Sequence, residues 1–175
     1  VLPACVKERY IGEAKCLRAY FYWNLVRSFG GVPKIDRVLE SQEDIIAASN
    51  RATAEEIYAF MEQDLNDAIA VLPPVIPTAE NGRVSKAAAQ ALMAKVLLYQ
   101  KKWAASKSMC DAIIGSNQYD LLTDYSQIWK EAGEFTIESI WEVNAIGITP
   151  NRGVEGYFVT QGSRGPGGLG WGFNT

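Results

Sequence analysis

Two glutamates four residues apart, Glu138 and Glu142, have the residue type and the spacing to be considered for catalysis. A glycosidase places two carboxyl groups about 5–5.5 Å apart for retention, or about 6.5–9.5 Å apart for inversion. The apolar–polar alternation over residues 139–144 predicts a short strand, which would put these two carboxylates about 13 Å apart. The spacing therefore argues against a glycosidase pair.

Other catalytic arrangements lack a required residue or a suitable context. The chain contains no histidine, the commonest general base and metal ligand, so Ser–His and Cys–His nucleophiles are excluded. The segment Gly165–Gly170 matches GxGxxG, but it follows no predicted strand and opens no predicted helix. We therefore predict that the protein is not an enzyme and holds neither a cofactor nor a metal.

Composition and charge exclude further classes. The net charge is −3 and the basic residues are scattered, which argues against a nucleic-acid surface. No apolar run approaches the ~20 residues of a membrane span. The three cysteines form no CxxC pair and no complete disulfide framework. Cys16 and Cys110 fall on apolar helix faces, so we expect both to be buried.

Residues 83–115 predict two helices joined by a very short turn at residues 100–102. Ser85 is suited to cap the first helix, and Gly115 to end the second in a left-handed conformation. The two apolar stripes consist of Ala87, Ala91, Ala94 and Leu98, and of Trp103, Ser106, Cys110 and Ile113. The pattern is typical of a tetratricopeptide hairpin, a unit of about 34 residues, with an ordinary antiparallel helix pair as the alternative.

Two further helices precede this hairpin. Residues 1–29 carry apolar residues at helical spacing and end at Gly30-Gly31-Val32-Pro33; these residues are Ile11, Ala14, Leu17, Phe21, Leu25 and Phe29. A connector over residues 34–52 leads to a capping box at Thr53 and Glu56. The helix it opens carries a single stripe made of Ile57, Met61, Leu65, Ala68 and Leu72.

The last part of the chain differs in composition. Nine of the fifteen glycines lie in residues 147–175, together with several aromatic residues. We therefore predict one all-α domain over residues 1–175, with a helical core at 1–130 and irregular glycine-rich loops at 145–175. Because the sequence begins without Met and ends in a loop, we expect a fragment of a longer protein, so the loops are either a binding surface or a fragment end.

Several segments together resemble the SusD/RagB family of outer-membrane nutrient-binding lipoproteins. The segments GEAKCLRAYFY and LVRSFGGVP, at residues 12–22 and 25–33, are similar to one family block. Residues 51–73, the segments GRVSKAAA and ALMAKVLLY at 82–89 and 91–99, and ESIWEV at 138–143 follow in the family's order. The glycine-tryptophan segment at 170–172 also matches.

The resemblance implies tetratricopeptide-like helix pairs (an α-solenoid) with irregular loops and a short strand or two. It also implies non-catalytic binding of an oligosaccharide at the outer face of a Gram-negative cell, and delivery to a TonB-dependent transporter of the SusC type. We expect the family's lipid anchor to lie outside this chain, because Cys5 lacks the apolar stretch that precedes a lipidated cysteine. A tetratricopeptide scaffold that binds a peptide or partner protein is the alternative function.

Sugar rings offer an apolar face and a polar rim, so they suit aromatic side chains accompanied by amide or guanidinium donors. The late loops hold such residues, and we predict glycan contacts at Trp171, Phe173, Tyr157, Asn174, Asn151 and Arg164.

Overall fold

The computed structural model describes residues 3–143, which form an all-α structure of five helices. The helices are α1 (Ala4–Phe29), α2 (Gln42–Ala48), α3 (Ala54–Val71), α4 (Lys86–Tyr99) and α5 (Trp103–Gly115). A short 3₁₀ helix, Thr78–Glu80, lies between α3 and α4, and two more, Tyr125–Trp129 and Glu131–Gly133, follow α5. The all-α prediction is confirmed, and Val1–Glu142 form one compact unit.

Helix α3 lies at the centre of this unit, because it packs against both α1 and α4. It begins at the predicted capping box, in which Thr53 Oγ1 accepts from the Glu56 amide and the Glu56 carboxylate accepts from the Thr53 amide. Its predicted apolar stripe is confirmed, since every member is buried: Ile57, Met61, Leu65, Ala68 and Leu72.

Helix α1 buries a different face from the one that its apolar spacing predicted. The face that packs in the core consists of Gly12, Cys16, Ala19, Tyr22, Trp23 and Val26. Most of the predicted stripe is exposed, including Phe21 at 62% and Phe29 at 65%. Both faces of α1 are apolar, so the period alone could not identify the one that contacts α3.

Helices α4 and α5 form the predicted hairpin. Ser85 Oγ accepts from the Ala88 amide, which confirms the cap, and Lys101 completes the turn with a φ of 62°. Ser106 is buried and its hydroxyl donates to the Ala94 carbonyl at 2.9 Å, which ties the helices together. The left-handed residue after α5 is Asn117 rather than Gly115, so the predicted C-terminal cap is wrong.

Three other predictions are corrected. Cys110 is exposed, because it lies off the face of α5 that carries the buried residues Ser106 and Ile113. The connector contains α2, whose N-cap Ser41 accepts from the Asp44 amide. Residues 139–143 form no strand: Ile140 and Trp141 pack on the helical core, and within residues 3–143 no strand pairs with them.

No helix in residues 3–143 combines the length and the apolarity that a membrane crossing requires.

Candidate functional site

A cleft of about 250 Å³ lies where three separate segments meet at one end of the helices. The connector between α3 and α4 supplies Asn81, Gly82 and Arg83. The chain after α5 supplies Gln118 and Tyr119, and residues 135–142 complete the wall. Because these segments are distant in sequence, the cleft is a product of tertiary packing.

Trp141 fixes the wall formed by residues 135–142. Its indole Nε1 donates to the Gly82 carbonyl at 3.1 Å, and its ring meets that of Tyr20 edge-on with centroids 5.6 Å apart. A second connection joins this segment to the chain after α5, since the Asp120 amide donates to the Ile137 carbonyl at 3.2 Å. Two of the three segments are thus held against the third.

Arg83 is the one positively charged residue among the described residues that line the cleft. Glu13 on α1 compensates this charge. The guanidinium donates to the Glu13 carboxylate through Nε at 3.1 Å and Nη2 at 2.6 Å, and it lies 4.8 Å above the Tyr10 ring. This carboxylate raises the pKa of Arg83 above its ordinary value. Arg9 also donates to Glu13 and pairs with Glu80, so an ion network joins α1 to the cleft.

Glu142 is the one acidic residue among the described residues that line the cleft, and its carboxylate accepts a hydrogen bond from the Phe135 amide at 3.0 Å. Nearby, Glu138 accepts from the Leu122 amide at 2.8 Å. Both glutamates considered for catalysis therefore hold the backbone of an irregular segment, with Phe135 at a φ of 52°.

Four polar side chains of the cleft have no hydrogen-bond partner among residues 3–143. They are the amides of Asn81 and Gln118, the phenol of Tyr119 and the hydroxyl of Ser139. Together with the rings of Phe135 and Trp141, they combine polar donors and acceptors with apolar surface, which is the kind of lining that orients a small polar ligand. Sequence reasoning missed these residues; the Asn81-Gly82 turn dipeptide was the one local signal.

An apolar groove of about 300 Å³ lies between α1 and α4. Its walls include Tyr20, Trp23, Leu92 and Trp141, and Lys95 lies above the Trp23 ring at 5.6 Å. Cys16 also lines this groove, and burial together with the Asp64 charge raises the pKa of its thiol to about 12. The groove thus offers hydrophobic contact and no reactive thiolate.

The six residues predicted to contact a glycan lie outside the described residues, so their role stays a prediction: Trp171, Phe173, Tyr157, Asn174, Asn151 and Arg164. Within residues 3–143, no three acidic or cysteine side chains converge as a metal site would require.

The chain belongs to the SusD-like family. The family model, described as starch-binding and associating with the outer membrane, matches residues 6–98. This match spans α1 to α4, the helices that support the cleft.

Individual relatives agree with this assignment. A SusD-like protein, P25, of Formosa agariphila is 30% identical over 134 residues, covering 77% of this chain and 25% of the relative. A crystal structure of a SusD-like protein from Bacteroides fragilis shares 32% identity with a TM-score of 0.74, over 82% of this chain and 28% of that one.

A third similar protein was solved with a ligand. Surface glycan-binding protein A from Bacteroides thetaiotaomicron, in complex with laminarihexaose, is 30% identical with a TM-score of 0.71. The match covers 82% of this chain and 30% of that one. The chain thus spans about a quarter of the curated relative and under a third of these two structures.

Proposed function

We propose that this chain is part of a non-catalytic protein that binds an oligosaccharide at the outer surface of the cell. The observation that carries the proposal is the family match over residues 6–98. A structural relative in complex with laminarihexaose supports an oligosaccharide as the ligand. In this proposal the helices form a scaffold, and recognition belongs to the irregular segments at their ends.

The second part of the proposal concerns transport. The bound oligosaccharide is passed to a TonB-dependent transporter of the SusC type, and the complete protein is held at the outer membrane by a lipid anchor. Support comes from the family's description as associating with the outer membrane. Co-purification of the full-length protein with a TonB-dependent porin encoded by a neighbouring gene would test it, and purification without such a porin would contradict it.

A glycan array tests the binding function. The full-length protein is expected to bind at least one oligosaccharide, including laminarihexaose among the probes, without releasing reducing ends. If no sugar binds and a peptide library yields a ligand instead, the protein is a tetratricopeptide scaffold. Release of reducing ends would contradict the non-catalytic proposal.

Alanine substitution at Trp171 tests the predicted loop contacts. A pair of aromatic rings contributes about 0.5–1.5 kcal/mol beyond its buried area, and we expect a comparable contribution from a ring stacked on a sugar, so Trp171→Ala should weaken the calorimetric affinity about two- to tenfold. Trp103→Ala is the matched control, because that indole is exposed at the start of α5 and lines neither the cleft nor the groove. Unchanged affinity in a folded Trp171→Ala protein would exclude this residue from the site.

A further inference from the structure

The described cleft carries charges that constrain what it can bind. Arg83 contributes a positive charge, but Glu13 engages it through two hydrogen bonds and is itself only 13% exposed. Glu142 contributes a negative charge that is met by a single backbone amide. Among the described lining residues there is therefore no cation left to neutralise an anionic ligand.

Acidic residues around the cleft add to this lack of free positive charge. Glu80 lies in the connector between α3 and α4 and pairs with Arg9, while Glu138 and Asp120 lie on the segments that form the opposite walls. Moving a carboxylate or sulfate out of water into such a site carries a desolvation cost that only a paired cation offsets. An acidic sugar is consequently disfavoured by both desolvation and like-charge repulsion.

The donors that remain suit hydroxyl groups. The Asn81 and Gln118 amides and the Tyr119 phenol each donate and accept, as a sugar hydroxyl does. Arg83 uses Nε and Nη2 for Glu13, which leaves Nη1 without a partner among the described residues. This nitrogen offers a donor whose charge is already balanced.

Size and shape limit the ligand further. The cleft holds about 250 Å³, just below the ~300–1,000 Å³ typical of sites for drug-sized molecules. Such a volume suits one sugar ring better than a long stretch of chain. The rings of Phe135 and Trp141 provide apolar surface, and Trp141 is held in place by its hydrogen bond to Gly82 and its edge-on contact with Tyr20.

We propose that this cleft is a subsite for one uncharged sugar residue, which makes the protein a receptor for neutral rather than uronic or sulfated oligosaccharides. The proposal rests on the proposed function, because it assigns a location and a ligand class to the same binding activity. It is separate from the loop residues predicted from sequence, since it uses only residues 81–83, 118–119 and 135–142.

The test uses the full-length protein and pairs each cleft variant with a matched control. An array of neutral oligosaccharides (laminarihexaose and maltohexaose among them) and acidic ones (oligogalacturonate and a sulfated oligosaccharide) first identifies the ligand. Calorimetry then compares Tyr119→Phe with Tyr125→Phe, and Asn81→Ala with Asn50→Ala. Tyr125 and Asn50 are exposed and lie outside the cleft.

We expect a neutral oligosaccharide to bind, and each cleft variant to weaken its affinity about two- to tenfold, as loss of one hydrogen bond does. The controls should stay within twofold of the wild type, and circular dichroism should show all four variants folded. Neutral binding that Tyr119→Phe and Asn81→Ala leave unchanged would overturn the cleft proposal and leave the proposed function intact. Preference for an acidic oligosaccharide would overturn the ligand class, and binding to no sugar would overturn both proposals.

Discussion

At the scale of single residues, the buried carboxylate of Asp64 is matched to a cation on another helix. Arg18 on α1 and Asp64 on α3 form a two-pronged pair at 2.7 Å for both bonds, and Asp64 is 2% exposed. The guanidinium also lies 4.5 Å from the centre of the Phe60 ring. The pair thus fixes how α1 lies on α3, while α1 itself remains apolar around most of its surface.

Loss of Arg18 should lower the free energy of unfolding more than loss of an arginine from an exposed ion pair. We expect Arg18→Met to lower the free energy of unfolding by about 3 kcal/mol, because it leaves the buried Asp64 carboxylate unpaired. The double variant Arg18→Met/Asp64→Leu should recover part of that loss. Urea denaturation measures both, and Arg37→Met is the control, since the Arg37–Asp44 pair is exposed and surface ion pairs contribute little to stability. Equal losses at Arg18 and Arg37 would contradict this account.

The three cysteines should differ in reactivity. Burial and the Asp64 charge raise the pKa of Cys16 to about 12, whereas Cys5 and Cys110 are exposed. Because the thiolate is the reactive form, we expect two thiols per chain to react quickly with a disulfide reagent at pH 8, and the third only after denaturation. Cys16→Ala should keep the fast count at two. Fast reaction of all three thiols in the folded wild type would show that Cys16 is accessible.

At the scale of elements, the crossing of α1 over α3 depends on a glycine inside a helix. A Cβ atom at Gly12 would lie 2.5 Å from Val71 Cγ2 and 3.6 Å from the Ala68 backbone. Valine is stiff about its first side-chain bond, so its methyl group has little freedom to move away. The glycine that weakens α1 as an isolated helix therefore permits its closest approach to α3.

Substitution at this crossing should reverse the usual effect of replacing glycine in a helix. Alanine generally stabilises a helix by about 1 kcal/mol relative to glycine, but overpacking costs about 1–3 kcal/mol. We therefore expect Gly12→Ala to lower the melting temperature. Gly115→Ala is the control in α5, where an added Cβ meets nothing within 4 Å, and it should leave the melting temperature unchanged or raise it. A higher melting temperature for Gly12→Ala would mean that the helices are not in close contact here.

Patterns within a few residues of sequence predicted the features whose contacts also lie within a few residues. The capping box of α3, the Ser85 cap and the short turn before α5 are each contained within a few residues, and all are confirmed. Apart from the C-terminal cap of α5, which a local signal misplaced by two residues, the wrong predictions needed distant information. The apolar pattern of α1 could not choose between two faces, and residues 139–143 were assigned to a strand although their contacts lie on helices.

At the scale of the whole molecule, the same limit applies to the cleft. The connector residue Asn81 is 37 residues from Gln118 and 54 residues from Phe135 in the sequence. No spacing rule joins such residues, since their meeting depends on how α4 and α5 return the chain towards the connector. The family resemblance, by contrast, could be recognised because its segments keep their order along the chain.

The helices contact one another in sequence order, apart from α2, and this arrangement predicts a gradient of local stability. Helix α3 packs on two neighbours and buries five residues, whereas α5 packs mainly on α4 and buries two. Repeat proteins of this kind open from weakly supported units, because each unit is stabilised by its neighbours. The amides of α5 should therefore exchange with solvent deuterium faster than those of α3.

Hydrogen exchange followed by mass spectrometry on the 175-residue chain would measure this gradient. We expect protection to be highest for α3, intermediate for α4 and lowest for α5. Replacing Ile113, which is buried at 8% exposure, by alanine should accelerate exchange in α5 and change α3 little. If Ile113→Ala accelerated exchange in α3 and α5 equally, the helices would open as one cooperative unit, and stability would not follow the order of the contacts.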